Sequence, residues 1–211
     1  MRRMLFEKTG RAIWMSHLDT MRLMQRAFRR AGVVLHHSQG YTPHAYVSML
    51  LPLSVGTESV CEIMEYELDA DIVIQPEDMN AVLPEGVCVR EVYESGRKAK
   101  YLTQLDVAMT LQFDAEAPTA QDVGALFSHE TLLVEKRTKR GMEEADIRPL
   151  IFRVELREEQ QAICLSARIA AQNPSLNPML LASAVERYLK KPTLVTCRRL
   201  EVYDAEGEVF R

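Results

Sequence analysis

The stretch that decides the fold runs from Arg11 to Pro52 and has the sequence RAIWMSHLDTMRLMQRAFRRAGVVLHHSQGYTPHAYVSMLLP. It combines a polar turn, a basic helix and a loop that carries Gly, Pro and His. No other part of the sequence brings so many chemically capable side chains together between ordinary strand patterns. These residue types predict a surface that binds phosphate or RNA, and they do not specify a reaction.

The periodicity predicts a helix over residues 17–31. Ser16 and Asp19 are spaced as in a capping box, in which both side chains satisfy free backbone N–H groups. Gly32 follows at the position where a left-handed residue commonly ends a helix. The apolar residues recur at spacings of three and four and predict one buried face: Leu18, Met21, Met24, Phe28 and Ala31.

Four arginines of this helix, Arg22, Arg26, Arg29 and Arg30, fall mostly off the apolar face. A run of charges most often marks a solvated helix face. Here almost no acid is interleaved, so the pattern favours a surface for a polyanion.

Composition indicates that this basic surface is local. Residues 1–40 contain eight Lys or Arg against two acids, a balance of +6, whereas the whole chain has a net charge of −4. Such an asymmetry is typical of a docking face on an acidic protein and excludes a general polyanion binder. The 211 residues, 47% of them hydrophobic, suit one large domain or two small ones with a substantial core.

Cysteine spacing argues against several cofactors. Cys61, Cys88, Cys164 and Cys197 lie far apart in strand-like runs, without the close pairs of a zinc ribbon, a redox motif or an iron–sulfur site. We expect reduced, buried thiols and a cytoplasmic protein. There is no signal peptide and no run long enough to cross a bilayer, so no membrane partner is expected.

The order of patterns predicts an α+β protein made of two tandem ferredoxin-like (βαββαβ) units with antiparallel sheets. The predicted units are residues 1–96 and 97–211, separated within the linker ESGRKAK at 94–100. The predicted strands are 4–9 (continued by 12–15), 33–38, 46–51, 60–68, 87–93, 105–113, 131–138, 151–156, 162–170 and 193–203. The predicted helices, besides the basic one, are 76–83, 120–127 and 177–191.

The histidines allow a catalytic alternative. His17 is placed to act as a general acid or base. RNA cleavage without metal needs a base, an acid and cationic support for the phosphate, and His17, His44, Tyr41 and Arg22 are the residues available for these roles. The competing interpretation is that His17 only fills the capping turn. A metal site from His17, His44 and Asp19 with His36 or His37 matches no standard ligand pattern, so no metal and no cofactor is predicted.

Two further segments are candidate phosphate contacts. The loop SQGYTPH presents small and amide groups and backbone N–H groups, and its candidate binding residues are Ser38, Gln39, Gly40, Tyr41, Pro43 and His44. With one glycine it is neither a Walker loop nor a dinucleotide fingerprint. The second segment is a basic cluster, Lys136, Arg137, Lys139 and Arg140, which is either a solvated turn or a second contact to a folded RNA.

Several motifs occur in one order: FEKTGRA from Phe6, SHLDTMR from Ser16, RAFRRAG from Arg26, SQGYTPH from Ser38 and SMLLPLSVGTES from Ser48. Over roughly the first 70 residues the chain closely resembles the radical-SAM-linked protein family, bacterial proteins encoded beside or fused to a radical SAM protein. The resemblance implies a radical SAM partner and work on RNA. The residues it carries over are Arg11, Ser16, His17, Asp19, Arg22, Arg26, Arg29, Arg30, Ser38, Gln39, Gly40 and Pro43.

Three functions stay open at this point. The first is an RNA-binding or substrate-presenting accessory protein of a radical SAM enzyme that modifies tRNA or rRNA, not itself an enzyme. The second is a metal-independent endoribonuclease that uses His17. The third is a protein-interaction module whose basic helix docks the radical SAM partner without RNA.

Overall fold

The structure, a computed structural model, describes residues 1–114, 116–138 and 141–211. The chain divides into two compact units, residues 1–99 with Arg211, and residues 100–210. Both units combine helices with antiparallel strand pairs. The predicted α+β class with antiparallel sheet is therefore confirmed.

The first unit has the element order βαββαβ. Its elements are β1 (Arg2–Lys8), α1 (His17–Arg30), β2 (Val47–Met49), β3 (Glu58–Tyr66), α2 (Pro76–Asn80) and β4 (Val87–Glu94). The sheet order is β4-β1-β3, with β2 paired to β3, and each pair is antiparallel. β1 is thus an inner strand, which is why its side chains are apolar or internally bonded.

Helix α1 covers the sheet with a face slightly different from the predicted one. Met24, Ala27 and Phe28 are buried, and the Phe28 ring lies 5.0 Å from that of Tyr66. Leu18, predicted in the core, is 63% exposed. Thr20 is buried instead, because its hydroxyl donates a hydrogen bond to the Ser16 carbonyl at 2.9 Å and leaves only its methyl group to pack.

Two predicted strands of this unit are wrong. Residues 12–14 belong to a 3-10 turn, Gly10–Trp14, and Met15 caps its end. The carbonyls of Ile13 and Met15 accept hydrogen bonds from buried Lys8 Nζ at 3.4 and 2.7 Å. Residues 33–38 make only isolated bridges, Leu35 to Leu68 and His37 to Ala45. The adjoining edge of β3 is taken by β2, so this segment has no long strand to pair with.

The second unit contains β5 (Gln104–Gln112), α3 (Ala120–Phe127), β6 (Leu133–Thr138), β7 (Gly141–Asp146), β8 (Ile151–Glu159), β9 (Ala162–Ala170), α4 (Met179–Tyr188) and β10 (Leu194–Tyr203). Its sheet order is β10-β5-β9-β8, all antiparallel. β6 and β7 pair with each other as a separate hairpin. β7 was not predicted, because GMEEAD has none of the apolar alternation that marks a strand.

All four cysteines are free. Cys61 and Cys197 are buried as expected, whereas Cys88 and Cys164 are only partly buried. Burial raises the pKa of Cys197 to about 11. At pH 8, about one thiol in a thousand would then be ionised.

We therefore expect Cys197 to resist iodoacetamide at pH 8 in the folded protein and to react freely in urea. Peptide mass spectrometry after timed labelling measures both rates. Equal rates for Cys197 in the two conditions would show that the thiol is accessible in the folded chain.

Candidate nucleic-acid interface

The start of α1 is fixed by side chains that serve the helix. Ser16 is the N-cap: its Oγ accepts a hydrogen bond from the Asp19 N–H at 3.2 Å, and its hydroxyl donates to Asp19 Oδ2 at 2.7 Å. The bonds from Ser16 lower the pKa of the Asp19 carboxyl. Both candidate binding residues thus have a role in the cap.

The outer face of α1 is cationic. Arg22, Arg26, Arg29 and Arg30 are all exposed. Arg22 lies 3.6 Å from Asp19 Oδ1, a surface pair worth little. In the ranges that the structure describes, no carboxylate pairs with Arg26, Arg29 or Arg30, so their guanidinium groups are available for bidentate contacts with phosphate.

The SQGYTPH segment forms a short closed loop. The Ser38 N–H donates to the His44 carbonyl at 2.9 Å, and the His44 N–H donates to Ser38 Oγ at 3.0 Å. Residues 39–43 at the tip are all exposed, Tyr41 completely. Among the described residues, no backbone hydrogen bond occupies the N–H groups of residues 39–42.

At the base of this loop, the His36 side chain already contacts two neighbouring side chains. Its Nδ1 lies 2.6 Å from Asp69 Oδ1, and its ring stacks on Tyr46 at 5.2 Å between centroids. Asp69, half-exposed, therefore lies beside the base of the loop as a hydrogen-bond partner of His36. His37 Nδ1 lies 2.8 Å from the Leu35 carbonyl oxygen.

Strand register shows which candidate residues share an end of the unit. Arg2 pairs with Tyr66 and Lys8 with Ser59. The loop begins beyond the Leu35–Leu68 bridge, at the Arg2 end. The last turn of α1 reaches the same end, because the segment that follows it is bonded to Asp69 through the Val34 carbonyl. Arg29, Arg30 and the loop therefore lie at one end of the unit.

The beginning of α1 lies at the opposite end, where Lys8 holds the Met15 carbonyl. Seven-residue β1 and 14-residue α1 each extend about 20 Å. Arg11 and His17 are thus separated from Tyr41 and His44 by about the length of the helix. The structure therefore does not bring His17 together with Tyr41 and His44.

We accordingly expect the purified protein to leave RNA intact in EDTA, and His17→Ala to leave RNA binding unchanged. Analysis of RNA termini for 2′,3′-cyclic phosphate is the measurement. Cyclic ends that appear with the unaltered protein and disappear with His17→Ala would restore the nuclease hypothesis.

The second basic cluster is offset by acids. Lys136 and Arg137 are exposed on β6, but Lys136 faces Glu143 and neighbouring Glu135 faces Glu144 on β7. Lys139 and Arg140 lie outside the described residues. The described part of this hairpin is therefore mixed in charge.

Across the described residues, no group of three or more His, Cys, Asp or Glu is arranged to hold a metal ion. Within the same part of the chain, no helix combines the length and the apolar character that a membrane span requires.

Sequence reasoning overlooked Trp14. It is the sole tryptophan of the chain and is 69% exposed in the 3-10 turn before α1. The sequence did contain a signal for Trp14 as a candidate binding residue: a large aromatic side chain next to the polar segment that starts a basic helix.

A family model described as "Uncharacterized protein conserved in bacteria (DUF2344)" matches residues 2–178. The chain belongs to this family. The description names no radical SAM protein, so that association of this DUF2344 member rests on the motif resemblance alone. A comparison with curated proteins found no match.

Among solved structures, the DUF2344 chain is similar to one in the crystal structure of a Cbf5-Nop10-Gar1 complex, with TM-score 0.58 and 7% identity over 97% of this chain and 50% of that one. It is also similar to a chain in an H/ACA RNP bound to a substrate RNA containing 2′-deoxyuridine, with TM-score 0.52 and 7% identity over 94% and 46%. The chain thus spans about half the length of these relatives. At such identity the likeness concerns the fold alone.

Proposed function

We propose that this DUF2344 member is a non-catalytic RNA-binding or substrate-presenting protein that holds RNA against the outer face of α1. The observation that carries the proposal is the set of exposed arginines, Arg26, Arg29 and Arg30, for which the described residues provide no carboxylate. Arginine forks match the geometry of phosphate oxygens. In a chain of net negative charge, such a face selects anions locally.

The loop at the end of α1 supports the same function. Its exposed N–H groups at residues 39–42 and the amide of Gln39 offer hydrogen-bond donors near the last turn of the helix. Ser38 and His44 close the loop, so the donors are partly preorganised. Phosphate contacts would come from the helix, and base or sugar contacts from the loop.

The proposed function also includes a partner enzyme and a process. The motif resemblance supports a radical SAM enzyme as partner and tRNA or rRNA modification as the process. Similarity to a chain in an RNP with substrate RNA is compatible with RNA association.

We further propose tandem ferredoxin-like units divided near residues 96 and 97, supported by the sheet orders β4-β1-β3-β2 and β10-β5-β9-β8.

The test is binding of labelled tRNA and rRNA fragments by fluorescence anisotropy at several salt concentrations. Contacts from three or four arginines predict a Kd that rises about 20- to 50-fold between roughly 50 and 200 mM salt. An affinity indifferent to salt would exclude the arginine face as the RNA site.

Co-purification with a radical SAM protein tests the partner. An association lost after nuclease treatment supports RNA as the link. Association that survives nuclease, combined with no RNA binding by the purified chain, would instead favour the protein-docking alternative.

A further inference from the structure

Trp14 occupies a supported position on the surface. The Gly56 N–H donates a hydrogen bond to the Ile13 carbonyl at 2.9 Å, which brings residues 54–56 against the 3-10 turn. Atoms of the six-membered indole ring lie 3.5 and 4.0 Å from where a Cβ on Gly56 would stand. One part of the ring is therefore in contact, while 69% of the residue remains exposed.

The exposed stripe of α1 starts shortly after Trp14 in the chain, beyond the extended residues Met15 and Ser16. Leu18, Arg22, Arg26 and Arg30 follow at intervals of four, and all are exposed. The stripe is apolar at its first residue and cationic over the remaining length, about 18 Å in all. Trp14 precedes it by four residues.

Arg11 provides a positive charge at the Trp14 end of the unit. Arg11, three residues earlier, is exposed and has no carboxylate partner among the described residues. Two carboxylates also lie near this end, and each accepts a hydrogen bond: Glu58 Oε1 from the Gly10 N–H at 3.3 Å, and Asp19 Oδ2 from the Ser16 hydroxyl at 2.7 Å.

From this arrangement we infer that Trp14 is a stacking platform for an unpaired base, so that the ligand is RNA with a single-stranded nucleotide adjoining the segment bound by α1. The inference rests on the proposed function. Nucleic acid joins flat apolar bases to a row of anionic phosphates, which matches an indole followed by arginines. Base–aromatic stacking requires an exposed, supported ring face and tolerates any base.

The experiment uses the full chain and two probes, an oligoadenylate of about 12 nucleotides and a blunt RNA duplex of similar length. Because Trp14 is the sole tryptophan, quenching of intrinsic fluorescence reports on this ring directly. We expect the oligoadenylate to quench Trp14. Trp14→Ala should weaken oligoadenylate binding about tenfold and duplex binding less than about twofold, and Trp14→Phe should retain most of the affinity.

The outcomes separate the two proposals. The stacking site is overturned if the oligoadenylate leaves Trp14 unquenched and binds Trp14→Ala as tightly as wild type. If that binding still depends on Arg26, the proposed RNA binding stands. The exposed Trp14 ring would then be available for contact with a protein. Failure of both probes and of tRNA to bind overturns the proposed function itself. Since Trp14 is mostly exposed, its replacement removes little packing.

Discussion

Reversing two arginines of α1, Arg26→Glu with Arg29→Glu, is expected to weaken RNA binding by about 100-fold or more. Each charged hydrogen bond to phosphate contributes about 1.5–3 kcal/mol, and the new carboxylates add repulsion. The slope of log Kd against log salt should also fall by about two, because two phosphate contacts are lost. Titrations at several salt concentrations measure both quantities.

A matched control separates this local effect from net charge. Arg157→Glu with Lys191→Glu changes the total charge equally, and both residues are exposed in the second unit. We expect this control to bind within about threefold of wild type. If both double variants lost affinity equally, binding would depend on overall charge, and the α1 face would not be the site.

Replacing Gly86 with Ala is expected to destabilise the first unit by about 3–5 kcal/mol. Gly86 has φ +88°, and an added Cβ would lie 2.5 Å from the Thr9 carbonyl oxygen and 3.0 Å from Ala12 Cβ. The backbone cannot easily retreat, because the Thr9 N–H donates to the Gly86 carbonyl at 2.8 Å. Urea unfolding, followed through Trp14 fluorescence and circular dichroism, measures the loss.

Gly32→Ala provides the comparison. Gly32 also has a left-handed φ, +75°, but nothing lies within 4 Å of the added Cβ. This variant should lose only about 1–2 kcal/mol from backbone strain. The difference between the variants isolates the steric contact at Thr9, and equal losses would mean that the turn at Gly86 shifts freely.

Local signals of the sequence were sufficient for α1. Ser16 is the N-cap as predicted, and the helix ends at Arg30, one residue before the predicted end. Capping and periodicity depend on residues within a few positions of each other, so one sequence contains the required information. The arginine face follows from the same periodicity.

Features that depend on distant partners were not predictable. The exposure of Leu18 is set by how α1 lies on the sheet, and the separation of His17 from His44 follows from the β1–β3 register. Buried Lys8 is stabilised by the Met15 carbonyl, which accepts from its ammonium group at 2.7 Å, and by the charge of Glu62, although burial still lowers the pKa of this lysine. None of these contacts has a signal within one short window.

Trp14 and the SQGYTPH loop lie at opposite ends of the first unit, so Trp14 can serve as the donor for energy transfer to a dye attached to the loop. Thr42 is exposed at the loop tip, and the native thiols lie in strands, buried or half-buried. A dye on Thr42→Cys would accept excitation from the single indole near the other end of α1. Changes in transfer would then report in real time whether the loop bends toward the helix when a ligand arrives.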